Sequence, residues 1–425
     1  MTDNKKRFIC GGCSLLCDDV EFIVKNNKVI DTYNCCGRAN ENYKCHDSEN
    51  RILKPFIREN DTKKEISYEE AIEKAKDILS NAKNPLIYGF TNTGCEEIFQ
   101  GIILARKLNT YIDTQQSTCL GVLNNKLKEY KIRPIKLEKI KKKTDLIIFW
   151  GSNVSDLHLR LASKYAVFPR TGQIQQGKES RTVVTIDIRP TPTEKIADEA
   201  YYVEPGKDKE LIDALLELNQ GKRIKDKKIA GISLKKVKDF YELLQDSENK
   251  IIFIGPGLTA GNEGYKVLDS LVKLANEMNI DLLATTSDAN TYGCDIIMRT
   301  MTKYPFAVSY KNDSPEFNIS KFDITKLIAN NEIDAALIVN ADPLARLPFQ
   351  AAKKLASIPM IVIDHHNTLT TDLAKMVIPM KMTGVEIEGT FVRMDGRIRV
   401  VDKIIDPPEG ILSGAEIIKK IQNSV

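Results

Sequence analysis

The sequence predicts an α/β protein built on mainly parallel sheets, with a small β-rich segment at its N-terminal end. Three observations predict it. Runs of strand length that are apolar throughout end repeatedly in Gly, Asn, Asp or Pro, as strands buried on both faces do. Amphipathic helical patterns lie between several of them, the alternation that gives parallel sheets with helices on both faces. Six of the nine cysteines fall before residue 46, far from those runs. A chain of 425 residues is too long for one core, and the strands are too many for one mononucleotide unit, so two α/β domains are expected beside the cysteine-rich end.

The elements follow in order. "VEFIV" (20–24) and "VIDTY" (29–33) are short β-branched and aromatic runs around "KNNK", where Asn26-Asn27 suits a two-residue type I′ hairpin loop. "SYEEAIEKAKDILSNA" is a helix with a capping box of Ser67 and Glu70 and a buried stripe of Ala71, Ile72, Ala75, Ile78 and Leu79. "PLIYGF" (85–90) is a strand, "EEIFQGIILARKLN" (96–109) a helix and "TYIDT" (110–114) the next strand, followed directly by "QQSTCLG". Strands continue at 145–153, 182–190, 251–259, 280–288, 333–343, 358–366 and 374–379, with helices at 209–220 and 263–279.

Composition excludes several classes. Lys+Arg minus Asp+Glu is 62 − 58 = +4, small and scattered, with no case for nucleic-acid binding. The "IKKK" run ending at Lys143 is a solvated surface. No run of 18 apolar residues exists, "MTDNKKRF" has no apolar signal core behind its charges, and the expected location is cytoplasmic.

"CGGCSLLC" (10–17) places three thiols, Cys10, Cys13 and Cys17, at Cys-x2-Cys-x3-Cys spacing. Cys35, Cys36 and Cys45 are the candidates for a fourth. In the type I′ register, paired hairpin residues sum to 53: Val24 faces Val29, Val20 faces Tyr33 and Cys17 faces Cys36, while Cys35 points to the other face. Four thiolates so spaced suit a [4Fe–4S] cluster. Zinc competes, since tetrahedral four-cysteine sites also use Cys-x2-Cys, but the two paired knuckles usual for zinc are missing. Three cysteines at this spacing beside glycines do not read as reduced core thiols.

Strand ends in doubly wound sheets line the ligand crevice. The endings "GSN" (Gly151, Asn153), "DIRP" (Asp187, Arg189), "GPG" (Gly255, Gly257) and "NADP" (Asp342) together read as a wall for a phosphate-bearing ligand, though each alone reads as a turn. His365 and His366 follow a strand, either as cofactor hydrogen-bonders or as a solvent-facing pair. Thr370, Thr371 and Asp372 read as a helix N-cap that offers backbone N–H groups to a phosphate. His158 reads as a surface residue, Cys95 as buried filler at a helix start, and Cys294 has no assignment.

Taken together, these pieces resemble the molybdopterin-guanine-dinucleotide oxidoreductase superfamily. Within it the chain is similar to the B-type, pterin-carrying subunits of formylmethanofuran dehydrogenases. The resemblance rests on "CGGCSLLCDD", "SYEEAI", "PLIYGF", "STCLG", "FWGSN", "DIRPTPTEKIAD", "DHHNTLTTDLAKMVIP" and "GVEIEGTFVRMDGRIR", nearly the whole chain. It implies a formate dehydrogenase-like architecture: an iron–sulfur domain over 1–60 with 381–425, one pterin-binding α/β domain over 61–119 with 284–380, and a second over 120–283. It implies that Cys36, eighteen residues after Cys17, completes a [4Fe–4S] cluster with Cys10, Cys13 and Cys17, with Cys45 the fallback. It makes Cys119 the ligand of tungsten or molybdenum on a bis-molybdopterin guanine dinucleotide, where a soft thiolate suits the metal, and sets His365 and His366 near a pterin.

The implied activity is reversible reduction of CO2 to formate in methanogenesis. The implied partners are a subunit with the C-terminal pterin-binding barrel that this chain stops short of, an amidohydrolase-like formyl-transferring subunit, and polyferredoxin or ferredoxin-like subunits. Two departures stand out. Leu120 follows Cys119 where the family has histidine, and no arginine occurs between Arg223 and Arg299, where the family brings one to the metal. They imply an enzyme that is catalytically impaired or works on an altered substrate. The alternatives are a non-redox structural paralogue in a formyltransferase/hydrolase complex, against which the retained cysteines argue, and a formate dehydrogenase-type or nitrate reductase-type catalytic chain, against which the missing barrel and the early fourth cysteine argue.

Overall fold

The computed structural model describes residues 7–60, 62–259, 264–312 and 314–424. The first six residues of the charged N-terminus, and Glu263 at the start of the helix expected over 263–279, lie outside them. The chain groups into two compact units. One runs to Gly121 and resumes over Asp288–Arg393 and from Arg397 onward; the other is Val122–Ser287 with Met394–Gly396.

The first unit carries a nine-stranded sheet. Its five central strands, in spatial order Tyr111–Thr114, Pro85–Gly89, Ala335–Val339, Met360–Asp364 and Met376–Pro379, are parallel. Nearly every residue in them is buried, which is why they read as unbroken apolar runs. Antiparallel strands complete both edges: Phe56–Glu59 and Thr62–Glu65 on one side, Val308–Ser309 and Glu316–Phe317 on the other. The direction of winding reverses between Pro85–Gly89 and Ala335–Val339, so a crevice opens at their C-terminal ends. Helix Tyr68–Asn81 covers one face with Ala71, Ile72, Ala75 and Leu79, as its pattern predicts, while Ile78, expected in the same stripe, is only half-buried at its margin. Ser67 caps it by accepting from the Glu70 N–H at 3.1 Å. The Glu70 carboxylate pairs with Lys74 at 3.7 Å instead of closing the capping box.

The second unit is a five-stranded, all-parallel sheet in the order Ile280–Ala284, Lys250–Ile254, Leu146–Trp150, Thr182–Asp187 and Glu199–Tyr202. Winding reverses between Leu146–Trp150 and Lys250–Ile254. Trp150 is fully buried there and donates its indole N–H to Asp208 at 2.8 Å. The fold is the mixed α/β, mainly parallel architecture the sequence predicts. No helix among the described residues is long and apolar enough to cross a membrane.

The N-terminal hairpin, Glu21–Lys25 with Lys28–Tyr33, forms around Asn26 and Asn27, both at positive φ as a type I′ turn requires. Val24 faces Val29, but the register slips between Ile23 and Val24. Beyond that bulge Ile23 faces Asp31 and Glu21 faces Tyr33, so partners sum to 54 rather than 53. Val20 bridges Phe8, not Tyr33. The expected facing of Cys17 and Cys36 therefore does not follow from the hairpin, because an extra residue flips every later side chain.

Candidate active site

The cysteine loop is held by its own backbone and by one helix. Cys10 N–H donates to the Cys17 carbonyl at 2.8 Å, and Leu16 adopts the left-handed conformation that turns the chain between them. Helix Gly37–Lys44 supplies Tyr43, whose hydroxyl accepts from Gly11 N–H at 2.9 Å. A Cβ on Gly12 would sit 3.2 Å from Ala39 Cβ and 3.4 Å from Cys10 Sγ, so the loop lies tight against the helix. Gly12 N–H donates to Cys10 Sγ at 3.4 Å, a backbone donor on a ligand-type sulfur.

Five cysteines lie in this region, but among the described residues no three His, Cys, Asp or Glu side chains are drawn together as a metal-holding group. Cys35 shares a hydrogen bond with Cys10, Cys13 lies within electrostatic reach of Cys10 and Cys36, and Cys35 within reach of Cys17 and Cys36. Cys36 is the N-cap residue of the helix but makes no side-chain cap, which leaves its sulfur available. Cys45 opens a separate short turn, and its backbone bonds to His366. The hydrogen bond with Cys35, then burial, raises the Cys10 thiol; burial pushes Cys13 up to about 12. Such thiols give up protons only when a cation compensates the charge; their residue types suit a metal–sulfur centre, though as described they are not gathered into one.

Between this loop and the strand ends of the nine-stranded sheet lies a cavity of about 210 Å³. Gly11, Gly12, Arg38 and Tyr43 line one side, and Asn92, Asn340, His365, His366 and Thr383 line the other. Burial, then the neighbouring positive charges, drives His365 well below the usual imidazole range; burial, then Arg51, holds His366 at about 4. Both rings are neutral; the His366 ring is bonded to the Cys45 backbone and keeps Nε2 for a ligand. His365 Nδ1, His366 Nε2 and Thr383 Oγ1 are buried without a hydrogen-bond partner, the signature of a polar ligand's place. Such an edge fits a flat polar heterocycle of the pterin class.

The histidine loop is fixed from beneath. Asp364 accepts from the backbone N–H of His365 at 2.7 Å and of His366 at 3.2 Å, and its own carboxyl is pushed up to about 7 by burial. Arg51 donates to the His365 carbonyl at 3.0 Å and forms a fully buried ion pair with Glu386 at 2.7 Å.

Cys119 sits at the end of strand Tyr111–Thr114. Buried Asp113 anchors its loop: the carboxylate accepts from Ser117 Oγ at 2.6 Å and from the backbone N–H groups of Thr114, Ala307 and Ile324. The Cys119 side chain is exposed, though enough protein surrounds it to raise its thiol. Leu120 is 2% exposed and points into the core. A guanidinium does lie nearby, from a segment the sequence does not single out. Arg346, at the end of the turn Pro343–Arg346, pairs with Asp288 at 3.1 Å, and its charge reaches Cys119.

Other expected residues have local duties. Asp342 accepts from Thr370 Oγ1 at 2.6 Å and Thr370 N–H at 3.1 Å. The cap of helix Leu369–Leu373 is Thr368, not Thr370–Asp372; Thr371 occupies its third position, and its N–H donates to Thr368 Oγ1 at 3.2 Å. In the five-stranded unit, Asn153 Oδ1 accepts from Thr193 at 2.7 Å, Asp187 accepts from Ile188 N–H at 2.8 Å, and Arg189 is exposed. Gly151 is at φ +56°, and Gly257 N–H donates to its carbonyl at 3.1 Å. A Cβ on Gly255 would meet the same carbonyl at 2.0 Å. His158, expected at the surface, is buried and bonds the Thr286 carbonyl at 2.9 Å. Its burial is readable in the sequence: Val154, His158, Leu161 and Tyr165 form one stripe.

Comparison with known proteins identifies the lineage. Residues 51–423 match the family pattern described as molybdopterin oxidoreductase. The chain is 33% identical over 420 residues to the B-type subunit of the tungsten-containing formylmethanofuran dehydrogenase 2 of Methanocaldococcus jannaschii, covering 97% of each. Among solved structures, it resembles a chain of the formyltransferase/hydrolase complex from Methylorubrum extorquens, with a TM-score of 0.69 at 18% identity over 87% of this chain and 98% of that one. It also resembles acetylene hydratase from Pelobacter acetylenicus, with a TM-score of 0.70 at 14% identity over 99% of this chain and 69% of that one. At those identities the two structures establish the fold. With the family pattern spanning most of the chain and a full-length relative at one-third identity, the chain belongs to the molybdopterin oxidoreductase family, in the branch of the formylmethanofuran dehydrogenase B-type subunits.

Proposed function

We propose that this chain is the redox subunit of a formylmethanofuran dehydrogenase-type complex in the cytoplasm, interconverting CO2 and formate. The observation that carries the reading is a cavity edged by unsatisfied buried imidazole and hydroxyl groups beside the cysteine-rich loop, on one unit that also presents Cys119. When bound, a tungsten or molybdenum bis-pterin centre supplies the two-electron chemistry, and an iron–sulfur cluster relays single electrons.

The chain's own residues hold and orient. Cys10, Cys13 and Cys17, with Cys36 as fourth, would hold a [4Fe–4S] cluster; Cys35 stands close enough to compete. His365, His366 and Thr383 would hydrogen-bond the pterin edge. Cys119 would surrender its proton and bind the metal through Sγ. Gly151, Asn153, Asp187, Arg189, Gly255 and Gly257 in the five-stranded unit, and Asp342 and Thr371 in the nine-stranded one, would each meet a dinucleotide on their own unit mainly through backbone, since the side chains of Asn153, Asp187, Asp342 and Thr371 are engaged locally. Partners carrying the pterin-covering barrel, the amidohydrolase-like formyl transfer and ferredoxin-type electron delivery complete the proposed complex. Slow turnover is part of the proposal, because Leu120 offers no proton at the position beside Cys119.

The test is elemental analysis and EPR of the anaerobically purified complex. Iron with tungsten or molybdenum in stoichiometric amounts supports the reading. Zinc alone, or no metal, moves the chain to the non-redox structural class.

A further inference from the structure

The net charge of +4 hides an uneven distribution. Residues 221–238, all in the five-stranded unit, carry seven lysines and Arg223 against a single acid, Asp226. That segment is net +7, and the rest of the chain is net −3. All eight cations are exposed, and none forms a hydrogen bond or ion pair through its side chain with a described residue. Lys236 only reaches the Tyr201 ring, at 6.0 Å. The acids of neighbouring elements do not serve them: Lys207 takes Glu204 at 2.6 Å and lies 4.0 Å from Glu210. The segment is nonetheless firmly built. Strands Lys228–Ile229 and Ile232–Ser233 form a short ribbon turned through Ala230 and Gly231, both at positive φ. Ile229, Ala230 and Ile232 are buried, the Ala230 carbonyl accepts from Glu204 N–H at 3.0 Å, and Ala230 N–H donates to Glu210 at 2.9 Å. Helix Leu234–Asp246 follows directly, held by Val237, Phe240 and Leu244, with Phe240 against Tyr201 of the sheet's edge strand. The charges are therefore displayed from a fixed backbone, and their placement opposes folding. Lys235 and Lys236 occupy the first turn of that helix, with no acid beside them, where the free backbone N–H groups already present positive charge. Five further cations precede them and add repulsion. Solubility asks for interspersed charge rather than clustering. Guarding the sheet edge asks for lysines on strand Glu199–Tyr202, which has none.

We propose that the basic segment over 222–238 is a docking surface for an acidic segment of a partner protein. Lysines are point charges that meet carboxylates from several directions, whereas phosphates are gripped best by planar guanidinium forks, of which the segment has one. No large apolar or aromatic side chain is exposed within it, so it has no platform for stacking bases and no wedge for a lipid surface. Because the backbone is already fixed, docking on this side orders only the lysine side chains. The surface is independent of the redox reading.

The full chain is titrated with a fluorescein-labelled glutamate-rich peptide and with a single-stranded oligonucleotide of equal charge, at low and at physiological ionic strength. The peptide is expected to bind more tightly than the oligonucleotide, with an affinity that falls as salt rises. Carbodiimide coupling should join its carboxylates to lysines within 222–238, as mapped by peptide mass spectrometry. A variant with Lys225→Gln, Lys227→Gln, Lys235→Gln and Lys236→Gln should bind about tenfold more weakly, the product of four exposed charge pairs. A control with Lys142→Gln, Lys143→Gln, Lys419→Gln and Lys420→Gln should bind as the wild type does. The Lys235→Gln, Lys236→Gln double variant should melt about 2 °C higher than the wild type at low ionic strength, because cations leave the positive end of a helix. Equal weakening in the control overturns the proposal, since diffuse charge would then suffice. Tighter binding of the oligonucleotide overturns it in favour of a nucleic-acid surface, and no binding of the peptide at physiological ionic strength overturns it outright. A lower melting temperature in the double variant overturns it by giving the lysines to the fold.

Discussion

Each unit has a winding reversal with a crevice at its strand ends, yet the two crevices are chemically unlike. In the five-stranded unit the loops close on themselves: Gly151, Gly255 and Gly257 pack backbone against backbone, and Asn153 and Asp187 spend their side chains on near neighbours. In the nine-stranded unit, His365, His366, Thr383 and Gln115 keep buried polar atoms without partners, and Cys119 and Arg346 face out. The difference teaches that topology supplies a place for ligands, while unsatisfied polar groups show which place has been given side-chain chemistry.

The comparison breaks most visibly at the thiols. Cys13→Ala should abolish the visible absorption and the reduced-state EPR signal of the purified complex, and Cys45→Ala should leave both intact. Cys35→Ala beside Cys36→Ala identifies the fourth ligand, and loss of signal only in the Cys35 variant would sink the family assignment of Cys36. Next in size is Glu386→Ala, which strands the buried Arg51 charge beneath His365. It should cost about 3–5 kcal/mol in urea unfolding.

Glu97 tests whether an orphaned atom always marks a site. It is buried on helix Cys95–Lys107 under Gly414, outside the lining of the cavity, with Oε2 unpartnered, and burial pushes its carboxyl from 4.5 up to about 7. A raised carboxyl binds more protons in the fold than in the unfolded chain. Its stabilisation is therefore fullest below the ordinary value and is lost as pH climbs towards about 7. Against Glu97→Gln, the wild type should lose on the order of 3 kcal/mol between about pH 4 and pH 8. Unchanged metal content in that variant would show the atom to be structural. Smallest is Gly255→Ala, whose Cβ meets the Gly151 carbonyl. It should destabilise the ligand-free chain by about 2–3 kcal/mol; an unaffected melting curve would return the glycines to a purely ligand-cradling role.

What is legible in the sequence follows from the same physics. Fully buried parallel strands announce themselves because every residue is apolar, so the sheet centres are readable. The edge strand Thr62–Glu65, exposed throughout and rich in charge, carries no such mark. Asn26-Asn27 marks the hairpin turn, but the slip at Ile23/Val24 has no residue signature, and with it goes the register argument for Cys36. The cysteine spacing and the histidine pair are readable as motifs. Arg346 is not, since its meaning comes from Asp288, 58 positions away. Leu120 reads as a lost histidine. Its burial adds that an imidazole placed there would enter the core rather than restore a proton donor.

The Arg51–Glu386 pair joins residues 335 positions apart. A ribosome releases the chain from its N-terminus, so the cysteine loop and Arg51 emerge long before the carboxylate that completes their platform. The His365 carbonyl, which Arg51 also holds, is made only shortly before that carboxylate. The floor beneath the cavity is thus a late event in biosynthesis, and cofactor loading belongs after synthesis rather than during it.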